Sequence, residues 1–132
     1  MRKKTTLLLA IGALCVALFG YVAHALTVST FHDDACLVIG MTVANKIEAG
    51  EAVSEDEVRS EIASLIRGSV IHGRVDTAGH PTDLNGNDFQ IEQTSDRVIV
   101  STEFSFLQPK SSRAEVAVKA HNKITGANHG QR

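Results

Sequence analysis

The chain has no tryptophan, a single tyrosine and only two prolines in its 132 residues. A surface on which bases or sugars stack is built from aromatic rings, so that class of ligand is not expected. Cysteine is equally scarce. Cys15 lies within an apolar run and leaves Cys36 alone beyond it, so that part of the chain forms no internal disulfide. Cys36 sits between Ala35 and Leu37, where burial as an inert thiol is the expected state. A cationic excess is also missing. Three of the 13 Lys and Arg residues cluster at the start, leaving 10 against 15 acidic residues. Nucleic acid, which selects a basic face, is therefore not an expected partner.

What the chain does have is a strong N-terminal pattern. Arg2, Lys3 and Lys4 precede an uncharged run from Leu7 to Val22, followed by Ala23-His24-Ala25. Basic start, apolar middle and small-x-small exit are the parts of a secretory signal peptide, with Ala23 and Ala25 at the positions signal peptidase reads. The same residues serve as an uncleaved anchor. From residue 7 to residue 26 the run approaches the roughly 20 residues that cross a bilayer, and the basic start would stay in the cytoplasm. Either way, the chain beyond residue 25 is expected in the periplasm or outside the cell.

The expected domains are residues 1–25 as signal peptide or anchor, 26–122 as a small exported domain, and 123–132 as a polar tail. Asp33 or Asp34 reads as the cap of a helix over about 34–48, with Leu37, Gly40, Met41, Ala44 and Ile47 on one face and Gly50 as its stop. Ser54-Glu55-Asp56-Glu57 has capping-box spacing ahead of Val58, Ile62, Leu65 and Ile66, and Glu55 can pair with Arg59. The short link AGEAV between these helices predicts a hairpin.

The second half is β-rich. SVIHGRV predicts a short strand and DTAGHPTDLNGND a loop; DFQIEQ and RVIVSTEF predict a strand pair, and AEVAVKAH a last strand. Helices first and strands after indicate an α+β fold, a helical hairpin packed on one face of a small antiparallel sheet. Phe31, Leu37, Met41, Ile47, Val58, Ile62, Leu65, Phe89, Ile91, Val98, Val100 and Val116 are its expected core.

Few residues carry candidate chemistry. Asp83, Asn85, Asn87 and Asp88 place oxygen ligands close together, as calcium requires, although Asp88 and Thr94 stand where a calcium loop has Gly and Glu. The plainer reading is a tight turn of Asn, Gly and Asp. His72 and His80 could meet across the sheet as metal ligands. There is no GxSxG, HExxH or phosphate-binding loop, so catalysis is not expected.

The run HPTDLNGNDFQIEQTSDRVIVST resembles the C-terminal region of type II secretion pseudopilins. Pro81, Asp83, Gly86, Asn87, Phe89, Val98, Val100 and Ser101 occupy the matching places. The resemblance implies a membrane helix followed by a helix and a small sheet, with calcium bound near the sheet. The prepilin cleavage motif is absent: Gly20 is followed by Tyr21, and Ala25 stands where the family has Glu. Together these features predict a non-catalytic binding or assembly module that meets envelope or membrane proteins, with an apolar patch near Phe104 to Leu107. A small periplasmic hydrolase or metal-dependent enzyme, with a His and a carboxylate converging in a cleft, is the alternative from another class.

Overall fold

The computed structural model describes residues 2–103 and 111–119. Phe104 to Leu107 and the tail 123–132, both singled out above, lie outside the described residues. One helix, α1, runs from Arg2 to Glu48 without interruption, a length of about 70 Å at 1.5 Å per residue. The cap expected at Asp33 or Asp34 is not formed, because the helix passes straight through both. Its polar stretch is accommodated locally: the Thr27 and Thr30 hydroxyls donate to the Ala23 and Leu26 carbonyls one turn back, at 2.9 and 3.0 Å.

Glycine ends this helix. Gly50 has φ +79°, its N–H donates to the Ile47 carbonyl, and the Glu51 N–H reaches back to Lys46. Those two bonds make a Schellman motif, which only a residue at ease with positive φ closes without strain. After the link, α2 spans Glu55–Arg67. Its capping box is complete: the Ser54 hydroxyl accepts from Glu57 N–H, and the Glu57 carboxylate accepts from Ser54 N–H at 3.0 Å.

The strands form two antiparallel sheets rather than one. β1 (Arg74–Val75) pairs with β2 (Pro81–Thr82), and β3 (Gln90–Gln93), β4 (Arg97–Ser101) and β5 (Arg113–Ala117) follow as a meander. The strand expected from SVIHGRV thus shrinks to two residues, and part of the expected loop, at Pro81, pairs with it. The C-terminal half of α1 packs on β4 and β5, while α2 packs on β1 and β2. The helices share one core but not one sheet.

That core joins Ala35, Cys36, Ile39, Val43 and Ala44 of α1 to Val58 and Ile62 of α2, Ile71, and Val98 and Val100 of β4. The buried face of α1 is the expected one only in part: Gly40 and Ala44 are buried and Ile47 packs against the core, but Leu37 and Met41 do not. Leu37 and Met41 are 47% and 50% exposed, whereas Ala25, Val28, His32, Ala35, Cys36, Ile39, Gly40 and Val43 are buried at steps of three and four. A Cβ on Gly40 would sit 2.9 Å from Val116 Cγ2 and 3.6 Å from Val100 Cγ2, so the glycine lets the helix lie close on the sheet.

Candidate functional site

Three places in the fold bring chemistry-bearing residues together. The first is the free half of α1. Every residue from Lys3 to Gly20 is exposed, and the first buried one is Ala25. Residues 2–24 therefore project about 35 Å beyond the packed body. This helix is long and apolar enough to cross a membrane, with a mean hydropathy of 2.3 in its most apolar window. There is no linker between the exposed apolar half and the packed half. Ala23 and Ala25 both lie inside the helix, with Ala25 already against the domain.

The second place is the polar junction where two loops meet α1 around residues 29–36. Asp83 is fully buried at the start of the DLNGN turn. Its Oδ1 accepts from the N–H groups of Asn85 and Asn87 at 2.8 and 2.9 Å. The Asp83 N–H in turn reaches the Asn87 carbonyl, and Gly86, at φ +87°, donates to the Asp83 carbonyl. Asp83 Oδ2 is buried and has no hydrogen-bond partner among the described residues. The turn docks on α1 through Leu84, whose N–H donates to Nε2 of the buried His32 at 3.1 Å. On the same helix, the Ser112 hydroxyl donates to the Ser29 carbonyl, and Ser112 N–H donates to the Thr102 hydroxyl. Cys36, one turn on from His32, is pushed up to about 12 by burial first and then by the negative charge of Asp33 and Asp83. The expected burial of this thiol is present in the structure.

This geometry bears on the calcium expectation. Calcium takes six to eight oxygens. Asp83 Oδ1 is committed to closing its own turn, and Asp88 is drawn away to His80, Nε2 to Oδ1 at 2.7 Å. As folded, Asp83 Oδ1 and Asp88 Oδ1 are engaged within the protein, while Asp83 Oδ2 is not. Among the described residues, no group of three or more His, Cys, Asp or Glu is arranged to hold a metal. His72 and His80 go to separate partners: His72 stacks on Phe31 with ring centroids 4.0 Å apart.

The third place is a cleft of about 490 Å³ between α2 and the β2–β3 region. Val58, Ile62, Pro81 and Phe89 supply its apolar lining. At its rim stand the Glu55–Arg59 pair, at 2.6 Å, and the His80–Asp88 pair. Sequence spacing identified the first pair. It did not identify the cleft, nor the role of His32, because the partners of both are brought together only by long-range folding. A His and a carboxylate do converge here, at the rim of the cleft. No family model, curated protein or solved structure matches this chain.

Proposed function

We propose that this chain is a membrane-anchored, non-catalytic assembly module on the outer side of the cell membrane, built on the plan of a pseudopilin. The observation that carries this reading is the single uninterrupted helix α1. Its apolar half is bare, and its other half is the spine on which the three-stranded sheet lies. A signal peptide is discarded after export, so nothing requires it to share one rigid helix with the domain. Here, cleavage after Ala25 would cut within that helix, at a residue packed against the body. Anchoring instead leaves the bare half in lipid, where a helix satisfies its own backbone groups. The domain then stands directly on the membrane surface, with Arg2, Lys3 and Lys4 on the cytoplasmic side.

The test is expression in a secreting bacterium, followed by alkaline extraction of membranes and intact mass measurement. Anchoring predicts the full-length mass in the extracted pellet. A soluble species that begins at Leu26 would overturn it.

A further inference from the structure

The three-stranded sheet is ordered β3-β4-β5, so among the described residues β3 has a strand neighbour on one side only. Its ladder with β4 fixes which backbone groups face outward. The Thr94 N–H donates to the Arg97 carbonyl across the turn. In an antiparallel ladder, bonded pairs alternate with unbonded ones. The pairs Glu92–Ile99 and Gln90–Ser101 are therefore the bonded ones, and Ile91 and Gln93 turn their N–H and C=O groups away from β4. Ile91 and Gln93 are also the residues of β3, together with Gln90, that line the cleft beside α2. An open strand edge and an apolar slot thus lie side by side.

The surroundings are acidic. Glu55, Asp56 and Glu57 open α2, Glu61 lies a turn further on and pairs with Lys46 at 3.8 Å, Asp88 precedes the strand and Glu92 lies within it. Among the described residues, Arg59 is the one Lys or Arg lining the cleft, and it is held by Glu55. His80 is held by Asp88.

We infer that this edge takes an extended, basic segment of a partner polypeptide as a fourth strand. Main-chain bonds to Ile91 and Gln93 would set its register, as in other strand additions. Side chains alternate between the two faces of a strand. Apolar residues at every second position enter the slot over Val58 and Ile62, and Lys or Arg at the positions between them meet Glu92 on the opposite face of the sheet. The surface gives the proposed module its partner and so rests on the binding reading, but it does not depend on how α1 is held.

The test is selection of random nine-residue peptides on the full chain in detergent micelles. Sequences that alternate apolar and basic residues should be enriched. Their affinity should fall at least tenfold on Gln93→Pro, which removes one outward N–H and leaves the ladder to β4 in place. It should also fall on Glu92→Lys, a change confined to an exposed side chain. Absence of enrichment, acidic consensus sequences, or equal affinity for both variants would overturn the inference. Self-association of the chain that Gln93→Pro abolishes would also overturn it, by making a second copy the occupant.

Discussion

Replacing Asp83 by Ala strikes the junction that fastens the sheet region to the helix, and its cost follows from the bonds described. Asp83 Oδ1 holds two backbone N–H groups within the turn. Hydrogen bonds to a charged group contribute about 1.5–3 kcal/mol each, and a buried donor left unpaired costs about 1–3 kcal/mol. Removing the carboxylate also removes the buried, unpartnered Oδ2, which offsets part of the loss. The net cost for Asp83→Ala is about 2–4 kcal/mol, a large share of a small domain's stability. Asp83→Asn keeps an acceptor for both N–H groups and should cost about half as much. Pulse proteolysis across a urea series reads both, with a slope of about 1–3 kcal/mol per molar, so the Ala midpoint should drop by at least about 0.7 M. The loss should be the same in chelator and in millimolar calcium, because the carboxylate stabilises its own turn. Wild-type protein stabilised by calcium, with Asp83→Ala indistinguishable from it in chelator, would refute this and make Asp83 a metal ligand.

Three further outcomes follow from particular contacts. Gly40→Ala gains about 1 kcal/mol of helix propensity but forces a methyl to within 2.9 Å of Val116. Overpacking of about 1–3 kcal/mol should win, whereas Gly20→Ala, with nothing within 4 Å, should not lower the urea midpoint. Ser54→Ala removes a complete capping box and should cost about 0.5–2 kcal/mol. The Ser54 backbone and hydroxyl also hold the Glu57 carboxyl below its ordinary value. Its contribution is therefore present above the ordinary glutamate range and lost as pH falls through the folded value, and a pH series should show this dependence weakened but not abolished in Ser54→Ala, whose backbone N–H still donates to Glu57. With Cys36 pushed up to about 12, the folded protein holds that proton more tightly than the unfolded chain does. Stability should then fall as pH rises above the ordinary thiol range, and iodoacetamide at pH 8 should leave Cys36 unmodified until urea unfolds the domain.

What could be read beforehand was local. Ser54 and Glu57 announce α2 because a capping box depends on residues three apart. The β3–β4 hairpin was visible in the alternation of Phe89, Ile91, Val98 and Val100. The course of α1 was less legible, since Thr27, Thr30, Asp33 and Asp34 look like a boundary to any local rule. They are tolerated because two hydroxyls bond within the helix and the acids face outward. Its buried face was ambiguous for a related reason. Leu37 and Met41 are as apolar as Ile39 and Val43, so a stripe centred on Gly40 and Ala44 can extend to either side, and only packing on the sheet brings Ile39 and Val43 inward. His32 could not be read as a latch at all, because Leu84, the residue it receives, lies 52 positions away.

The continuity of α1 is the claim on which anchoring, orientation and the spine all depend. It is measured by pulsed dipolar spectroscopy on the full chain in lipid bilayers, with spin labels at Leu18 and Asn45, both exposed, after Cys15 and Cys36 are replaced by Ala. An unbroken helix puts these positions about 40 Å apart with a narrow distribution. A markedly shorter or broad distribution would mean that the helix bends or breaks between them, and the anchored spine would be contradicted.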